Sequence, residues 1–353
     1  MQKKIIALAV AGLMSGAAFA QSNVTISGIV DIGYARNSSS DTDAWQSRSA
    51  LDSGMQSGSR ITFAGVEDLG GGNKVGFHLE NSIGPDTGAG PTMVRQSFLY
   101  AAGGWGTVAA GRQYTPQFNM LATIDPFAVG TVGDAFYGRG VYVAGTAAVP
   151  NTIRLDNLFA YVSPSFGGFN VTAGYTADAI GNEAVTATGA QSGNAKIWAI
   201  NPVYSNGPIY AAFNYHQVKI DSANYKNKVW DLGGTYNLGV VKLAGVYGTS
   251  EVDGIDPKMK QWLLGVTVPV GAAGNVLVSY ARNKWDTEKA SKWALGYTHN
   301  LSKRTNLYAA YAKISTNDDA EGLFSVAGAN SATTGLNTND YTSGLNLGIR
   351  HKF

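Results

Sequence analysis

The chain has 353 residues, no cysteine, and 26 Lys and Arg against 24 Asp and Glu. Lys3 and Lys4 lie in a leader-like segment; without them 24 basic residues face 24 acidic ones, so no basic nucleic-acid surface is indicated. Zero cysteine excludes a disulfide scaffold, and no run beyond residue 20 approaches the roughly 20 apolar residues of a membrane helix.

Residues 1–20 read as a secretory signal. Lys3 and Lys4 supply the positive start, Ile5 to Met14 an apolar stretch too short to span a bilayer, and Ala18-Phe19-Ala20 an A-x-A site with cleavage expected before Gln21. The domain 21–353 is then exported, and a chain that spans a membrane without apolar helices can only be a closed barrel. A mean hydropathy of −0.06 fits, because lipid-facing and lumen-facing residues cancel. The 45 Gly, 18 Tyr, 13 Phe and 7 Trp suit twisted strands with aromatic girdles.

Asn23 to Arg36 is the first predicted strand, with Val24, Ile26, Val30, Ile32 and Tyr34 on one face. Ser59 to Asp68 and Lys74 to Ile83 form a hairpin about Leu69 to Asn73, whose three glycines permit positive φ. Arg95 to Ala102 and Thr107 to Gln113 form another about Gly103 to Gly106. Further short turns fall at 164–167, 205–208, 237–239, 269–275 and 302–306. Longer connections at 37–58, 84–92, 114–151, 179–194 and 317–340 lie opposite them. Short turns at one end and long loops at the other are the asymmetry of an outer-membrane barrel, and the segments count to about sixteen antiparallel strands in one domain. In the last of them Leu345, Leu347, Ile349 and Phe353 would meet lipid, while Asn346, Gly348, Arg350 and Lys352 face a wet interior. Alone, that strand would also suit the edge of a soluble sheet; the leader favours the barrel.

Residues Gly58 to Asn73 (GSRITFAGVEDLGGGN), Gly76 to Asn81 (GFHLEN), Arg95 to Tyr100 (RQSFLY), Trp105 to Pro116 (WGTVAAGRQYTP), Tyr161 to Phe169 (YVSPSFGGF) and the terminal Arg350 to Phe353 occur in the order and spacing of one family. In these motifs the chain resembles the trimeric general porins of β-proteobacteria over its whole exported length. The resemblance implies an all-β, sixteen-stranded transmembrane barrel, a homotrimer, a third extracellular loop folded into each lumen, and passive diffusion of small hydrophilic solutes. It also implies that Phe353 is read by the barrel-assembly machinery.

The connection 114–151 suits that third loop on physical grounds. It is long, and Phe118, Leu121, Ile124, Phe127, Val129, Phe136 and Tyr137 should not sit in open water. Packing it on the inner wall would narrow the hole; an external Ω-loop or a subunit-contact loop is the alternative. Asp125 and Asp134 are its expected pore-facing acids. On the wall, Arg60 alternates with Ile61 and Phe63, Arg95 with Phe98 and Tyr100, and Arg154 with Ile153, Leu155, Phe159 and Tyr161. A guanidinium in the lipid band would cost about 2 to 4 kcal/mol, so all three are expected inside. The family places arginines at the constriction, and these three match. The structural alternative for each is a pairing with a neighbouring carboxylate such as Glu80 or Asp156 that holds the wall together. Three arginines facing two aspartates, with Glu80 able to cancel one charge, predict a modest anion preference. Arg112 has outward parity near a strand end and is a weaker pore candidate, as are Lys242 and Lys313, whose register is open to a one-residue slip.

Trp230, Tyr236, Tyr247, Trp262, Tyr280, Trp293, Tyr297 and Phe353 are expected to form girdles against outer-membrane lipid. The four histidines, His78, His216, His299 and His351, fall in no metal or nucleophile motif, and Gly70 to Gly72 lacks the lysine of a nucleotide loop. No cofactor, metal site or catalytic residue is signalled. A solute-specific channel is the competing function, with a barrel enzyme or adhesin behind it.

Overall fold

The computed structural model describes residues 23–39, 47–136, 153–179, 195–220, 224–320 and 341–353. The leader 1–20 and the part of the long connection from Tyr137 onward lie outside them. In chain order the strands are β1 (Asn23–Ser39), β2 (Arg48–Ser53), β3 (Arg60–Gly70), β4 (Asn73–Gly84), β5 (Ala89–Gly103), β6 (Gly106–Tyr114), β7 (Arg154–Val162), β8 (Phe169–Thr176) and β9 (Ala195–Asn206). They continue as β10 (Ile209–Ile220), β11 (Tyr225–Asn237), β12 (Lys242–Val252), β13 (Met259–Val270), β14 (Gly274–Trp285), β15 (Glu288–Asn300), β16 (Thr305–Thr316) and β17 (Tyr341–Lys352).

From β3 onward each strand pairs antiparallel with the next, and β17 returns to β1. Strands β2 and β3 occupy one position: the first pairs with residues 32–37 of β1 and the second with residues 23–29. The result is a closed sixteen-stranded barrel with no free edge. At the seam the Phe353 amide donates to Gly28 O (3.1 Å) and Gly28 N donates to Phe353 O (3.0 Å).

The expected loop 37–58 therefore contains a strand. Residues 48–53 carry only Ala50 and Leu51 as apolar groups, so pairing with β1, rather than any alternation of their own, makes them extended. In β17 the period of two holds: Leu347, Ile349 and Phe353 are exposed outside, while Asn346 is buried inside.

Candidate functional site

After β6 the chain turns into the barrel and forms helix α1 (Pro116–Ile124). Thr115 caps it by accepting from Phe118 N (3.1 Å), and Pro116 supplies a preset φ in the first turn. Thr115-Pro116, a cap residue followed by a first-turn proline, is the local signal that could have pointed to this helix. Its buried face carries Gln117, Met120, Leu121 and Ile124. With Phe127, Val132 and Phe136 these pack on a wall of small side chains that includes Ala212, Ala244, Ala281, Ala294, Ala310 and Ala312. Gly265 and Gly296 leave sockets: a Cβ on the first would strike Pro126, and one on the second would lie 2.5 Å from Phe127 Cε1.

Polar ties fix the rest of the loop. Gln117 Nε2 donates to the buried Asp231 (2.8 Å), Lys292 Nζ to Asp134 O (2.5 Å), and Thr131 N to Met55 O (2.5 Å). Val132 N donates to Asn346 Oδ1 (2.7 Å). Met55 belongs to the break between β2 and β3, which Asp31 holds by accepting from Ser57 N (2.5 Å) and Tyr308 OH (2.6 Å). None of Met55, Asp31, Asp231 or Lys292 was singled out from sequence, because each acts on a segment far away in the chain.

Facing the loop, Arg60, Arg95, Tyr114 and Arg154 line one cavity of about 270 Å³ with Phe118, Val129 and Asp134. Arg95 Nε donates to Glu80 (2.6 Å), and Arg60 NH1 lies 3.6 Å from the same carboxylate. Arg95 and Arg154 both donate to Tyr114 OH (2.8 and 2.7 Å), and the Arg154 guanidinium sits 4.4 Å above the Tyr114 ring. Glu80 thus answers two arginines, whereas Arg154 is paired with no carboxylate among the described residues. Tyr114 was not foreseen as their hub.

The remaining sequence candidates separate. Arg154 is on the cavity, but Leu155 is buried under the loop rather than facing lipid: Gly111 and Asn157 have positive φ, and the bulge they form breaks the alternation beyond which Phe159 points out. Arg112 does not join the cluster and instead forms an ion pair with Asp156. Asp134 borders the cavity while its carboxylate accepts from Phe136 N (2.7 Å). Asp125 does not face water. It is buried at the end of α1 and accepts from Phe127 N (3.1 Å) and Val129 N (3.0 Å); burial pushes its carboxyl up to about 6 against the pull of these amides and of Lys292. Lys242 faces inward and its Nζ lies 3.5 Å from Thr123 O of α1. Lys313 corrects the expectation: it shares the exposed outer face with Leu307 and Tyr311, since Tyr308, Ala310 and Ala312 take the inner positions of β16.

On the outer wall a Trp–Tyr contact recurs: Trp198–Tyr215, Trp230–Tyr247, Trp262–Tyr280 and Trp293–Tyr311, with ring centroids 5.0, 5.6, 5.4 and 5.3 Å apart. Tyr236 and Tyr297 lie on the same face nearer the short turns.

A closed barrel with a tethered loop and an arginine-lined cavity has close relatives. Residues 7–319 match the family model described as Gram-negative porin. The chain belongs to that family. This porin is 37% identical to outer membrane porin protein 32 of Delftia acidovorans over the whole of both chains, and 30% identical to an outer membrane porin protein of Bordetella pertussis, covering 89% of this chain and 94% of that one. An anion-selective porin from Comamonas acidovorans superposes with a TM-score of 0.77 at 34% identity, covering 94% of this porin and 100% of that structure. The trimer form of OmpT from Vibrio cholerae has the same fold, with a TM-score of 0.68 at 14% identity and coverage of 94% and 99%. The porin resides in the Gram-negative outer membrane and is a channel protein, not an enzyme.

Proposed function

We propose that this porin is a general diffusion channel for small hydrophilic solutes, with a modest preference for anions set by Arg60, Arg95 and Arg154. The observation that carries the reading is their convergence on one cavity opposite the loop, with Glu80 the only carboxylate ion-paired to any of them among the described residues. In a narrow opening the nearest charges dominate, since screening sets in only beyond about 8 Å at physiological salt. The anion selectivity named for the similar Comamonas porin supports the same direction.

Replacing the three arginines by Gln together should move the zero-current potential in a salt gradient toward cations and weaken its dependence on ionic strength. A triple variant with the parent's reversal potential would overturn the assignment. Ohmic conductance with a size cutoff is expected, whereas saturation by one solute would favour a specific channel.

The working unit in this reading is a homotrimer, exported by residues 1–20 and assembled through recognition of Phe353. Trp–Tyr pairs occur on β9 to β16 and on none of β1 to β8 among the described residues, which suits a wall partly covered by neighbouring copies. Native gels should show a trimer that dissociates on heating; monomer alone before heating would count against it.

A further inference from the structure

Where α1 meets the wall, Gln117 of the helix and Asn214 and His216 of β10 are 1%, 0% and 4% exposed. Tyr215, between the last two, turns outward to meet Trp198, so Asn214 and His216 both project inward beneath the helix. Gln117 Oε1, Asn214 Oδ1 and His216 Nε2 are buried without a hydrogen-bond partner among the described residues. All three residues line one cavity of about 20 Å³, whose other walls include Leu155, Leu158, Ile197 and Ala199. Roughly 10 to 15 Å³ of such space holds one water. Buried polar groups are almost always paired, so three at one small cavity call for a common partner.

The direction of each hydrogen in this group follows from Asp231, the register partner of Asn214 on β11. Its Oδ2 accepts from Gln117 Nε2 (2.8 Å) and from Asn214 Nδ2 (2.9 Å). A carboxylate only accepts, so each amide must turn its NH2 toward Asp231 and its oxygen away. The second hydrogen of Asn214 Nδ2 is then directed at His216 Nδ1, 3.2 Å away. That nitrogen accepts, which leaves the proton of the neutral imidazole on Nε2. The unpaired set is therefore one N–H donor, His216 Nε2, and two carbonyl acceptors, Gln117 Oε1 and Asn214 Oδ1.

We propose that this cavity binds one water molecule, which accepts from His216 Nε2 and donates to Gln117 Oε1 and Asn214 Oδ1. A water offers two hydrogens and a lone pair, which matches the set with nothing left over. A cation accepts no hydrogen bond and would meet the Nε2 hydrogen, while an anion would meet two carbonyl oxygens. The hydrogen bonds then close a ring that runs from the water through Gln117, Asp231, Asn214 and His216 back to the water. Both ends of the Gln117 amide are held, so the first turn of α1 is fixed against β10 and β11 at two points instead of one. His216, which lies outside the arginine-lined cavity, is thereby a positioning residue for the loop. The inference concerns how the loop is anchored and does not depend on the ion preference of the pore.

The test begins with a crystal structure of the protein isolated from outer membranes, at a resolution that shows single waters. One density peak is expected within hydrogen-bond reach of all three atoms, with no anomalous signal after a rubidium soak. The absence of that peak would overturn the proposal, and an anomalous peak would replace the water by a cation. Solid-state NMR of the parent labelled with 15N-histidine, in lipid vesicles, should show one neutral ring protonated on Nε2 whose signal is missing from His216→Leu; a proton on Nδ1 would contradict the assignment. His216→Leu removes the donor and keeps the bond between Gln117 and Asp231, so open-channel noise should rise severalfold with little change in mean conductance. His216→Gln sets an amide N–H where Nε2 stood and should restore both the peak and the quiet channel. His216→Asn, whose amide reaches only the Nδ1 position, should restore neither. Equal noise in the parent and the Leu variant, or equal rescue by Gln and Asn, would remove the positioning role.

Discussion

Strands β9 to β16 and strands β1 to β7 are built from the same alternating pattern yet differ in regularity. The first arc pairs without register breaks, carries the repeated Trp–Tyr contacts outside and offers small residues to the loop inside. In the second arc the register shifts at Glu80 to Ser82 and at Gly111 to Gln113, one strand is split into β2 and β3, and Tyr114 and Arg154 turn onto the cavity. A regular wall can only alternate in and out. Bringing Arg60, Arg95 and Arg154 to one cavity required breaking that alternation, so the arginine cluster sits where the sheet is least ideal.

The largest effect should come from the seam where the two arcs meet. Removing Phe353 deletes both of its backbone bonds to Gly28 and its outer-face ring, and should strongly reduce heat-dissociable protein in the outer membrane on native gels, with chain left in the periplasm. Phe353→Ala, which keeps a terminal residue, should be less severe; normal assembly of both would leave the ring no role beyond the girdle. Next, Gly296→Val on the regular arc fills the socket of Phe127. Overpacking of about 1 to 3 kcal/mol should displace the loop and raise single-channel conductance while the barrel persists.

On the irregular arc, Glu80→Gln should increase the anion preference, because Arg60 and Arg95 lose their shared carboxylate; a reversal potential shifted toward cations would contradict this. Thr115→Ala should cost about 1 kcal/mol of helix capping and appear as increased open-channel noise with little change in mean conductance. The smallest effect concerns pH. Asp125 is raised from 3.8 in the free carboxyl to about 6 in the docked loop, so its contribution is full below about 4 and declines as pH rises through about 6. Noise should therefore increase slightly between pH 4.5 and 7.5 in the parent, a trend absent in Asp125→Asn.

The regular arc was legible in the sequence because a period of two, read from Trp230, Tyr247 or Trp262, fixes every other residue on a strand. The arginines were legible as inward residues because lipid excludes them. What alternation hid was the bulge at Gly111 and Asn157, which put Leu155 beneath the loop, and the true role of Asp125, a brace for two loop amides rather than a pore charge. Lys313 shows the opposite failure: the period was right, and only the choice between its two phases was missed. Strand β2 and helix α1 were concealed by short, mixed sequences whose structure depends on distant partners.

The loop's tethers join parts of the chain that are made far apart in time. Its tip is held by Met55 near the beginning and Asn346 near the end, and the Asp31 brace beneath Met55 needs Tyr308. Contacts of such high sequence separation form late. A chain lacking its last strand has no Asn346 and no seam, so an unfinished barrel cannot hold the loop in its working position. The loop-lined cavity is thus completed only once the cylinder is shut, and a chain whose last strand has not paired would leave the loop undocked and the lumen wider.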